Sequence, residues 1–163
     1  MTSKRWLVAL SSLVVVLTVA GAITFVRYAR LHAPQPTLVA VAPFDILVPG
    51  LEQWRVRLAE DLTAQLDSRA PLMAVSQDVV RERWRGQQRP EIAALDLARR
   101  TSAGIAAYGR LDPFAGSDSV FVRLIVIDAG TGAVRSVMSA PWPRARLPEL
   151  GRALAEQVRH NYR

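Results

Sequence analysis

The sequence predicts an α/β sandwich: a mixed sheet of about five strands packed with three to four helices, in the order βαβ(α)αβββα, preceded by one transmembrane helix. Three observations predict it. An uncharged apolar run, Trp6 to Val26, has 21 residues, and a membrane span needs about 20. Behind it, segments with apolar residues at helical spacing alternate with short continuous apolar runs. Three strand-like runs then follow one another in meander order, separated by Gly-, Asp- and Ser-rich turns. A chain of 163 residues has room for one such domain.

Residues 1–5 form a short basic head and residues 6–26 the predicted signal-anchor helix. Val14, Val15, Val16 and Leu17 make its apolar centre, and Trp6 and Phe25 lie at its ends. The hydroxyls of Ser11, Ser12, Thr18 and Thr24 can return to helix carbonyls and do not spoil a span. A cleaved signal peptide is the competing reading, because Ala20-Gly21-Ala22 fits a small-residue cleavage site. The apolar run continues through Ile23 to Val26, which favours a retained anchor. A five-residue head is easily kept in the cytoplasm, so the following domain is expected on the periplasmic or extracellular side of the cell membrane. Residues 27–37 contain Pro34 and Pro36 and read as a stiff spacer.

The folded domain is expected over residues 38–163. Leu38 to Phe44 is a buried strand closed by Pro43, and Asp45 to Gly50 a loop. Leu51, Trp54, Leu58, Leu62 and Leu66 recur at helical spacing. Pro71 ends that helix, and Leu72 to Val75 makes a second strand. Ser76 opens a short helix towards Trp84. Pro90 starts the next helix, with Ile92, Leu95 and Ala98 on one side. The meander runs Ile105 to Leu111, Val120 to Asp128 and Ala133 to Ala140, where Pro141 and Pro143 stop the last strand. Leu147, Leu150, Leu154 and Val158 align as a C-terminal helix.

Taken in order, several short pieces carry a family resemblance. They are Val39-Ala40-Val41-Ala42-Pro43-Phe44, Asp61-Leu62-Thr63, Val75-Ser76 with Val79, Ile92-Ala93, Leu97-Ala98, Tyr108-Gly109 and Leu124-Ile125-Val126-Ile127-Asp128-Ala129-Gly130-Thr131-Gly132. Through them, residues 38 to 158 resemble the TolB amino-terminal-like domain, related to FlgO- and CsgG-like envelope proteins. The resemblance implies a mixed sheet with helices packed on it and a non-enzymatic role in bacterial envelope assemblies. The chain departs from the family in Asp45-Ile46-Leu47-Val48-Pro49-Gly50, in Tyr108, and in Val137-Met138-Ser139-Ala140-Pro141-Trp142. No propeller sequence follows.

Charge and composition limit the chemistry. Cysteine is absent, which excludes disulfides, thiolate metal sites and thiol nucleophiles. His32 and His160 are the only histidines, one in the spacer and one at the end of the last helix, so no hydrolytic cluster is expected. Gly130-Thr131-Gly132 reads as a hairpin turn with no phosphate-loop context. Glu60 and Asp61 point apart on a helix, and Asp112 and Asp118 flank a turn. The net charge is +7, but Lys4, Arg5, Arg27 and Arg30 flank the apolar run, where cations set membrane topology. Nucleic acid is therefore not expected as a partner.

The expected function is a membrane-anchored, non-enzymatic binding or scaffold module that works through protein contacts and needs no cofactor or metal. Homo-oligomerisation is left open. Its candidate contact residues are Arg81, Arg83, Trp84 and Arg85, where arginines surround one tryptophan, together with Asp45 and Leu47 of the first loop. Trp142 is read first as cover for the core at the base of the last helix. The alternative is a secreted soluble protein, released by cleavage near Ala22, that binds a small ligand.

Overall fold

The computed structural model describes residues 34–86, 89–116 and 118–162. The chain divides into two units, Met1–Ala33 and Pro34–Arg163. The predicted span, with Trp6, Val14, Val15, Val16, Leu17 and Phe25, lies outside the described residues, as does most of the spacer. Among the described residues no helix is long and apolar enough to cross a membrane.

The second unit runs β1 (Gln35–Val41), β2 (Asp45–Ile46), α1 (Trp54–Asp67), β3 (Met73–Ala74), α2 (Gln77–Arg83), α3 (Pro90–Arg100), β4 (Ala103–Pro113), β5 (Ser119–Asp128), β6 (Val134–Pro143), a 3-10 turn (Arg144–Arg146) and α4 (Leu147–His160). The strands form one mixed sheet in the order β3-β1-β4-β5-β6, with β2 beside β4 beyond the end of β1. β3, β1 and β4 are parallel, and the β4-β5-β6 meander is antiparallel. Sequence order follows chemistry here: tight turns join only antiparallel strands, so the parallel strands are linked through helices.

Helices lie on both faces. On the first face α1 and α4 bury Leu58, Leu62, Leu66, Leu150, Leu154 and Val158 against Val39, Ile105, Leu124 and Val126. Each such aliphatic side chain contributes about 2 kcal/mol by leaving water. α1 and α4 cross closely because position 151 is glycine. A Cβ there would stand 2.7 Å from the Asp61 Cβ. On the second face α2 and α3 pack Val80, Ala94, Leu97 and Ala98 on Ala40, Ala42, Ala106 and Tyr108. The side chain of Gln77, in the first turn of α2, ties the two layers together. Its amide donates to Thr63 Oγ1 of α1 at 2.7 Å and to the Val41 carbonyl at 3.3 Å.

Four local expectations are corrected. β1 begins at Gln35 rather than Leu38, because the Gln35 N–H donates to the Ser102 carbonyl at 2.8 Å and draws the end of the spacer into the sheet. The segment Asp45 to Gly50 is not all loop: Asp45 and Ile46 pair with Arg110 and Leu111 of β4, which makes six strands. Pro141 and Pro143 do not stop β6, which runs through both. β6 pairs only with β5, and an edge strand tolerates proline by turning the nitrogen that lacks hydrogen away from its partner. In α3 the buried side is Ala93, Ala94, Leu97 and Ala98, while Ile92 is 46% exposed. Small residues let this helix lie close on an alanine-rich strand surface, and alanines weigh little in a pattern read from large aliphatics.

Candidate interaction surface

The residues singled out from sequence fall into two groups that the fold keeps apart. Arg81, Arg83, Trp84 and Arg85 lie at the carboxyl end of α2, next to that of α3, where the Arg83 guanidinium donates to the Arg100 carbonyl. Asp45 and Leu47 lie beside the far end of β4. From Ala103 to Arg110 is about 23 Å along a strand.

Within the first group the side chains are partly engaged. Arg81 pairs with Asp78 and, at 3.9 Å, with Glu60. Trp84 is half-buried against the second core layer. Arg85 reaches the Glu82 and Trp84 carbonyls at 3.4 Å and borders a cleft of about 350 Å³ with Glu82, Arg83 and Arg100. In the second group, Asp45 accepts the Tyr108 hydroxyl at 2.7 Å. Burial and then this bond raise the Tyr108 pKa, so the phenol stays protonated as the donor. Ile46 and Val48 are buried and Leu47 is 48% exposed, which leaves Leu47 as the accessible apolar residue of that segment.

Trp142 belongs to the fold. Its indole N–H donates to the Arg146 carbonyl at 2.9 Å, and the Arg146 guanidinium, bound to Glu149, lies over its ring. Asp128 closes the β5-β6 turn by accepting from the Gly130 and Thr131 amides, both at 2.9 Å. The Thr131 amide bond, and then Arg135, lower its pKa to about 2. Asp112 pairs with Arg110 at 2.6 Å. His160 borders a cleft of about 240 Å³ with Arg69, Glu156 and Arg159. Among the described residues no group of three or more His, Cys, Asp or Glu is placed to hold a metal ion.

A larger surface emerges from the sheet itself. α2 and α3 cover β1 and β4 but stop short of β6. Directly paired antiparallel residues share a face, so Tyr108, Ile125 and Val137 form one row, Arg110, Arg123 and Ser139 a second, and Asp112, Phe121 and Pro141 a third. The first row starts under the helices and emerges from them, with Val137 56% exposed. Phe121 stacks on Phe114, their ring centroids 6.0 Å apart, and Phe114 is 43% exposed. Arg123 faces Arg110 across the pair, a like-charge arrangement that costs stability unless compensated. Asp112 compensates Arg110, while Arg123 is exposed and has no ion pair among the described residues.

The rim of this surface is an open backbone edge. If the nitrogens of Pro141 and Pro143 point outward, the period of two directs the N–H and C=O of Ser139 and Val137 outward as well. The edge thus offers donors at Val137 and Ser139 and then ends in prolines. Sequence reading did not select this surface. Arg123, the one charge among the apolar residues of VFVRLIVI, was its available signal.

No model of a known protein family matches the chain, and no curated protein does. Solved structures do. The chain is similar to lipoprotein GNA1162 from Neisseria meningitidis, with a TM-score of 0.55 and 17% identity over 76% of this chain and 96% of that one. It is similar to TolB from Acinetobacter baumannii, with a TM-score of 0.54 and 14% identity over 80% of this chain. The match spans 29% of the TolB chain. At these identities the likeness establishes the fold, the mixed sheet with helices packed on it that the sequence resemblance implied.

Proposed function

We propose that the protein is a non-enzymatic binding module of the bacterial envelope, held by residues 6–26 in the cell membrane, with its α/β domain on the periplasmic or extracellular side. The observation that carries this reading is the uncovered β4-β6 half of the sheet: apolar rows around the exposed Arg123, beside an open strand edge. Such a surface suits an extended protein segment that adds to β6 through its backbone and brings a carboxylate to Arg123 between apolar side chains. The fold shared with TolB and a lipoprotein supports an envelope role, and the uncharged 21-residue run supports the anchor.

The test is the intact mass of a C-terminally tagged chain from fractionated cells, with protease added outside spheroplasts. Full mass in the membrane fraction, with the tag removed by protease, is expected. A chain shortened by its first 22 residues in the soluble fraction would replace the anchor with a signal peptide. A membrane-bound tag that resists protease would reverse the orientation.

A further inference from the structure

A second surface lies where the domain begins. Pro34 borders a cleft of about 400 Å³ with Gly130, Arg135 and Tyr162, and Gln35 is bonded to Ser102, two residues beyond the end of α3. This end of the sheet gathers the carboxyl ends of α1, α2, α3 and α4. Arg69, Arg83, Arg85, Arg99 and Arg159 stand there without ion pairs among the described residues. Among the acids there, Asp67 is engaged with the Ala74 amide, Asp96 with Arg100 and Asp128 with Arg135, which leaves the Glu82 and Glu156 carboxylates without ion pairs among the described residues. The surface is therefore net positive, with Arg85 and Arg99 exposed.

We infer that this arginine-bearing end rests on the anionic headgroups of the membrane that holds the anchor, which fixes the domain's tilt and turns the β4-β6 surface to the side. The inference rests on the anchored reading. If the span ends at Val26, residues 27–33 reach at most about 25 Å even when fully extended. That is shorter than a domain of this size, whose radius of gyration of about 14 Å implies a width near 36 Å. Pro34 thus stays within about 25 Å of the bilayer, a tether that lets the arginines beside it reach a surface potential that decays over about 8 Å at physiological salt. Arginine suits the contact because its planar fork binds phosphate oxygens in pairs.

The full chain in lipid nanodiscs tests this. Because the protein has no cysteine, Thr131→Cys places one fluorophore at the Pro34 end, and Leu47→Cys places another at the far end. Quenching by headgroup-nitroxide lipid is compared between discs of phosphatidylcholine alone and discs containing about one-third phosphatidylglycerol. The expected result is at least threefold stronger quenching at position 131 in the anionic discs. That gain should disappear in the Arg85→Gln/Arg99→Gln variant, and in the unmodified chain at high salt, while position 47 does not respond. Equal quenching in the two lipids, or a gain that survives both perturbations, overturns the inference and leaves the anchor standing. Failure of the chain to enter discs of either composition overturns the anchored reading and the inference with it.

Discussion

The two faces of the sheet are built from different residues and leave different amounts of surface. The first is leucine- and valine-rich, spans the full width of the sheet, and is sealed by two 14-residue helices, α1 and α4. The second is alanine-rich under the shorter helices α2 and α3, and it gives way to an exposed surface at β5 and β6. The first face therefore carries most of the stability, whereas the second has a stretch where side chains are free of the core and available to a partner. A sheet covered on both faces along parallel strands but open at an antiparallel edge is the expected compromise.

Substitutions should separate the faces. Leu62→Ala removes a side chain buried between α1, the sheet and α4 and should cost about 3 kcal/mol by urea unfolding. Gly151→Ala should cost about 2 kcal/mol, because the new methyl meets Asp61 and must spread α1 from α4. On the second face, Trp84→Ala should cost about 2 kcal/mol for its half-buried ring, whereas Arg85→Ala stays within about 0.5 kcal/mol. Equal effects of those two would place Trp84 outside the core layer.

Asp128 gives a smaller effect with a pH signature. Its folded pKa, about 2, lies below the roughly 3.9 of an unfolded aspartate. Its contribution is therefore complete above about pH 4 and fades as pH falls towards 2. Asp128→Asn should lower stability by at most about 1 kcal/mol at neutral pH and flatten the stability profile between about pH 4 and 2. A variant with the same slope as the parent there would assign that slope to other groups. Smallest of all, Val137→Ala on the open surface should change stability by less than about 0.5 kcal/mol.

The long amphipathic helices and the meander were legible in the sequence because large aliphatics mark their buried sides: Leu58, Leu62 and Leu66 in α1, and Leu147, Leu150, Leu154 and Val158 in α4. α3 was placed but turned, since its contact is made by alanines. β2 was missed because two residues leave no periodicity, and their pairing with β4 depends on an irregular step at Ala42 to Phe44, after which the chain continues parallel to β4. There, Phe44 packs where Gly109 has no side chain: a Cβ at Gly109 would lie 2.0 Å from its ring. The interaction surface was illegible for a related reason. Whether a strand face is bare depends on where the helices stop, and apart from the charge of Arg123 nothing local to Phe121 or Val137 encodes that.

The central claim is that the open β4-β6 surface, rather than the helical side, meets the partner. Its most direct test is photo-crosslinking in intact cells, with a benzophenone amino acid at Val137 or at Arg152 on the exposed side of α4. The account predicts a discrete protein adduct from position 137 that is lost with Arg123→Glu, and none from position 152. Adducts from 152 alone, or equal adducts from both positions that ignore Arg123→Glu, would contradict it.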